Sequence, residues 1–98
     1  MSRQITEIIT RKFMNDESYR LSNSEVRTDF ETTRLYLHNN LIAKKEKATG
    51  KIYITLAGWN TVTTRERLNG LPNVRVTQKD FIPYLNGQEI NSYDMYEV

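Results

Sequence analysis

Catalysis by a nucleophile and a base needs an imidazole or a thiol, and this chain of 98 residues holds one histidine and no cysteine. His38 stands beside Asn39 at what reads as a hairpin edge, an ordinary surface position for a lone imidazole. Thiol chemistry, disulfides and Cys-ligated zinc are excluded by composition. Metal sites built on two or three histidines are excluded within one chain. Two carboxylates, Asp29 and Glu31, are spaced to share one face of a strand, a starting point for a Mg²⁺ nuclease. The partner carboxylate followed by a lysine that such a site needs is not evident. The four glycines, at 50, 58, 70 and 87, are isolated, so no Gly-rich loop cradles phosphate. The expectation is a protein that is not an enzyme and needs no cofactor or metal.

Binding chemistry is better represented. The run Trp59-Asn60-Thr61-Val62-Thr63-Thr64-Arg65-Glu66-Arg67-Leu68-Asn69 would begin a short helix. A Thr-rich helix start offers free N–H groups, hydroxyls and the positive end of the helix dipole. Thr63, Thr64 and Arg65 are therefore a candidate anion site. The alternative is that the threonines only cap the helix while Trp59 and Leu68 anchor it. A second set, Arg34, Tyr36, Tyr53, Thr55, Arg75 and Thr77, falls on the side of the expected strands opposite Ile, Leu and Val. Tyrosines interleaved with arginines on an open sheet face can stack bases and neutralise phosphates. Tyr and Thr also favour strands for their own sake.

Charge is distributed unevenly. Residues 1–43 carry six basic and six acidic side chains, residues 44–79 eight basic against two acidic, and residues 80–98 four acidic and no basic. A basic middle of this kind suggests an anionic partner, often nucleic acid. A solvated surface on which opposite patches meet is the plainer explanation. Lys44, Lys45, Lys47, Arg65 and Arg67 would hold phosphates, with Arg34, Tyr36, Tyr53 and Arg75 as the sheet face. The acidic, aromatic tail, residues 91–98, would pack down, close over the basic face, or meet a separate partner.

These side chains need elements to position them. Ile5, Ile8, Ile9 and Phe13 form one stripe of an N-terminal helix over 1–14, with Ser2 as its cap and Asn15-Asp16 as its stop. Residues 15–24 read as a loop. Thr33–His38 and Leu41–Lys47 alternate about an Asn39-Asn40 turn, pairing Leu37 with Ile42 inside and Tyr36 with Ala43 outside. Thr49-Gly50 turns the chain into Lys51–Leu56. A short helix near 61–70 follows, with Thr61, Thr63 or Thr64 as its cap and Thr63 with Glu66 at capping-box spacing. Val74–Lys79 and Phe81–Leu85 are further strands, Pro83 placing the latter at an edge. Asn86-Gly87 makes a hairpin turn into Gln88–Ile90. The fold expected is α+β, an antiparallel sheet of four to six strands with one face covered by helices.

Length points to a single domain over 1–98. No apolar run approaches the length of a membrane span, and the N-terminal segment lacks the unbroken apolar stretch of a secretory signal. A soluble intracellular protein is the default expectation.

Four stretches carry a resemblance: Asn40-Leu41-Ile42-Ala43-Lys44, Gly58 through Asn69, Val76-Thr77-Gln78-Lys79 and Tyr84-Leu85-Asn86-Gly87. Over residues 33–90 the chain resembles a family of small uncharacterised tailed-bacteriophage proteins. The Trp-x-Thr-x-Thr-Thr-x-x-Arg-Leu-Asn segment is the most specific part, and the N-terminal helix lies outside it. The resemblance implies a phage product acting in the host bacterial cytoplasm, with no catalytic residues to carry over. Two functions are then expected: binding of DNA or RNA with weak sequence preference, or inhibition or redirection of a host protein by a monomer or a homodimer of this chain.

Overall fold

In the computed structural model the described residues are 2–98. Helix α1 (Ser2–Met14) leads into β1 (Tyr19–Leu21), β2 (Ser24–Thr28), β3 (Thr32–Leu37), β4 (Asn40–Glu46) and β5 (Ile52–Ile54). Helix α2 (Val62–Asn69), β6 (Val76–Lys79), β7 (Ile82–Leu85), β8 (Gln88–Glu89) and β9 (Tyr96–Glu97) complete the chain. The strands form a six-stranded antiparallel sheet, β1-β2-β3-β4-β5-β9, and a separate three-stranded sheet, β6-β7-β8. The architecture is the expected α+β one, divided into two sheets. No helix among the described residues is long and apolar enough to cross a membrane.

Both helices pack on one face of the large sheet. Helix α1 buries Thr6, Ile9, Thr10 and Phe13. Its buried stripe is therefore rotated by about one position from the isoleucine stripe, leaving Ile5 and Ile8 half-buried. The threonines face inward because α2 ends against them. A Cβ on Gly70 would lie within 3 Å of the methyls of Thr6 and Thr10, so the helix crossing depends on a bare backbone there. The expected Ser2 cap concerns a side chain outside the described residues.

The segment expected as a loop at 15–24 instead supplies β1 and the start of β2. Its apolar signal is thin because inward-facing Ser24 is polar, leaving Val26 as the one large apolar residue of β2 on the core side. The β3–β4 hairpin also differs from expectation. Its turn is His38-Asn39, both at positive φ, one residue earlier than Asn39-Asn40. Leu37 consequently faces Asn40 and Tyr36 faces Leu41, and a bulge at Ile42 then brings Leu35 opposite Ala43 and Arg34 opposite Lys44.

The other turns follow their chemistry. Asn86-Gly87, at positive φ, joins β7 to β8. Pro83 sits on the central strand of its sheet, not on an edge. Its carbonyl accepts from the Ile90 N–H beyond two-residue β8, and its missing donor points the same way, so no bond to β6 is lost. The tail finishes the large sheet through β9. Tyr96 and Val98 pack against the core, whereas Tyr93 remains exposed.

Candidate nucleic-acid interface

Strand alternation sends every second side chain of β2–β5 to the face that neither helix covers. Cross-strand pairing then aligns Arg27, Arg34, Lys44 and Tyr53, with Glu97 of β9 at the end of the row. A parallel row aligns Arg20, Glu25, Tyr36 and Leu41. Of the residues expected on this surface, Arg34, Tyr36, Lys44 and Tyr53 are brought together.

The cations lie on the rings. The Arg27 guanidinium sits 4.8 Å from the Tyr36 ring centre, and Lys44 Nζ 5.5 Å from that of Tyr53. Arg27 also donates to Glu25 at 3.1 and 3.2 Å, and Arg34 to Asp29 at 2.7 Å. The hydrogen bond from Arg27 holds the Glu25 carboxyl below its ordinary range. Asp29 is pushed down to about 2, first by Arg34 and then by the N–H groups of Glu31 and Thr32. Lys44 makes no ion pair among the described residues. Lys47 lies exposed at the sheet end and donates to the Asp29 carbonyl at 2.6 Å.

Asp29 and Glu31 do not share a strand face as expected. They occupy the β2–β3 turn, where the Asp29 carboxylate is spent on that turn and on Arg34.

Four other expected binding residues are placed elsewhere. Lys45 faces the helices because the β3–β4 register differs from the one expected. It is 8% exposed and donates to the Met14 carbonyl at 2.8 Å, capping the C-terminus of α1, with Asp16 3.1 Å away. Arg67 is 1% exposed beneath α2. Its guanidinium donates to Ser24 Oγ at 3.0 Å and Thr6 Oγ1 at 2.8 Å, joining β2, α1 and α2. Burial lowers its pKa. Neither Lys45 nor Arg67 can meet a phosphate at the surface. Arg75 precedes β6 in the small sheet and so is not on the face of Arg34 and Tyr36. Arg65 is engaged with Asn60 and Gln78, linking α2 to β6.

The proposed anion cradle at Thr63, Thr64 and Arg65 does not converge. Thr61 is the N-cap, accepting from the Thr64 N–H at 3.2 Å, and its hydroxyl meets that of Thr64 at 2.9 Å. Thr64 is buried, and the Thr63–Glu66 box is replaced by Thr61 with Thr64. Trp59 does not anchor the helix, being 57% exposed, whereas Leu68 does. Thr61, Thr63 and Thr64 instead wall a groove of about 340 Å³ with Leu37, Ile42, Leu56 and Trp59.

Sequence reasoning missed Arg27, Glu25 and Arg20 because β1 and β2 were not recognised. The signal available was the Ser24-x-Val26-x-Thr28 alternation, which sends Glu25 and Arg27 outward.

The model of the family described as Kyanoviridae Gp96 protein matches residues 2–97, so the match takes in α1 as well as the stretch that carried the resemblance. The chain belongs to this family, a family of phage proteins. No curated protein and no solved structure matches it.

Proposed function

We propose that this member of a phage protein family is a non-enzymatic accessory protein that binds nucleic acid on the uncovered face of its large sheet. The observation that carries the reading is the row Arg27, Arg34, Lys44 on three adjacent strands, with Tyr36 and Tyr53 under two of its cations. Adjacent strands lie about 4.8 Å apart, so the row presents a compact line of positive charge. A phosphate drawing Arg27 or Lys44 off its ring would expose the ring for base stacking. Contacts to phosphate and to π-faces carry little sequence information, so the preference for sequence is weak. Glu25 and Asp29 neutralise part of the row and limit affinity until phosphate competes with them.

A fluorescent single-stranded oligonucleotide titrated with the protein across a salt series tests this reading. Affinity should fall with salt. Arg34→Ala and Lys44→Ala should each flatten the log–log slope by about 0.7, the value for one phosphate contact on a single strand. Lys79→Ala, on the small sheet, should leave the slope unchanged. Absence of a salt-dependent shift at micromolar protein would end the proposal.

A further inference from the structure

The two-residue turn between β6 and β7 is Asp80-Phe81, with φ of 53° and 66°. Such turns favour Asn or Asp followed by Gly, because both central residues sit in the left-handed region. A phenylalanine there is strained, and burial returns nothing, since Phe81 is 89% exposed. Asn60 fastens this turn to the segment before α2, donating to the Phe81 carbonyl at 3.4 Å and to Gln78 at 3.1 Å. That segment carries Trp59, 57% exposed, and α2 opens on Val62, 71% exposed. With Ile82 these side chains offer on the order of 400 Å² of apolar surface. That is about half of what one partner buries in a stable protein interface.

Trp59 and Thr61, on either side of Asn60, help wall the groove of about 340 Å³, whose lining mixes Leu37, Ile42 and Leu56 with His38 and Asn40. A cavity of roughly 150 Å³ already accepts a benzene ring. A projecting ring and a groove with an apolar floor are thus tied together through Asn60 on the same molecule. Lys79 and Asp80 immediately precede Phe81, both exposed and neither in an ion pair among the described residues. One cation and one anion side by side do not suit a polyanion. They are complementary to themselves under a two-fold rotation, which sets Lys79 of each copy toward Asp80 of the other.

We infer that this edge is a self-association surface whose occupant is a second copy of the chain, Phe81 of each copy entering the groove beside Trp59 of the other. The surface is independent of the uncovered sheet face.

Trp59 is the only tryptophan and reports directly on the groove. Sedimentation equilibrium from micromolar to millimolar protein should give twice the chain mass, with Trp59 emission moving to the blue as association proceeds. Phe81→Gly suits the turn and should remain folded, yet sediment at the chain mass with emission independent of concentration. Val62→Ser should also weaken association at least tenfold. A wild-type chain that stays at its monomer mass with constant Trp59 emission overturns the inference, as does a Phe81→Gly variant that associates like wild type.

Discussion

The two faces of the large sheet treat the same chemical group in opposite ways. Lys44 and Lys45 are neighbours in sequence. Lys44 lies over a tyrosine on the uncovered face, whereas Lys45 is buried against the end of α1. Arg34 and Arg67 form a similar contrast, one paired with an exposed carboxylate and the other buried among hydroxyls. On the covered face a cation satisfies backbone or side-chain oxygens that would otherwise be buried without a donor. On the uncovered face it retains access to a partner. A count of basic residues along a segment therefore mixes two roles, and only strand register separates them.

Removing Arg67 should have the largest effect on this contrast. Arg67→Met leaves Ser24 Oγ and Thr6 Oγ1 without that donor and should cost about 3 kcal/mol or more in urea unfolding. If stability is kept while oligonucleotide binding is lost, the assignment of Arg67 to the fold is wrong. Next comes the neighbouring pair. Lys45→Met should lower stability by about 1–2 kcal/mol without changing the salt slope of binding, because the Met14 carbonyl loses its donor. Lys44→Ala should do the reverse, changing the slope and leaving the unfolding midpoint in place. Equal effects of the two substitutions would erase the distinction between the faces.

Acid gives the smallest effect. The folded-state pKa values of Asp16 and Asp29 lie below their ordinary value of 3.8, Asp16 chiefly through the Thr33 hydroxyl and then Lys45, and Asp29 through Arg34. Carboxyls depressed on folding stabilise the folded state above that ordinary value, and the contribution fades as pH falls through the folded value. Stability should therefore decline from about pH 4 toward pH 2. Asp29→Asn should make that decline shallower, as followed by circular dichroism.

Much of the fold was legible because its local chemistry is strong. Helix α1, the Asn86-Gly87 turn and the alternation of β3 and β5 all follow from residue type and spacing. Strand β2 was not, because a buried arginine recruits polar Ser24 to the core side and breaks the hydrophobic pattern. Arg67 itself looked like a surface cation, since nothing local to α2 announces that Thr6 and Ser24, distant in sequence, will surround it. The candidate interface was half legible. Arg34, Tyr36 and Tyr53 were identified from alternation and Lys44 only from the basic segment, while Arg27 depended on the unrecognised strand and Lys45 on a register displaced by one residue.

The bulge at Ile42 has a further consequence, best put in terms of reading frame. From the His38-Asn39 turn, β4 is read in one frame as far as Leu41, and beyond the bulge it is read in the other. Straightening the strand with Ile42 retained would shift the downstream frame, turning Lys44 inward and Lys45 outward and opposing Arg34 with Ala43. Deleting Ile42 would instead merge the two frames and leave both lysines facing as they do, at the cost of one buried side chain. A single supernumerary residue in the hairpin thus fixes which lysine belongs to the interior and which to the surface.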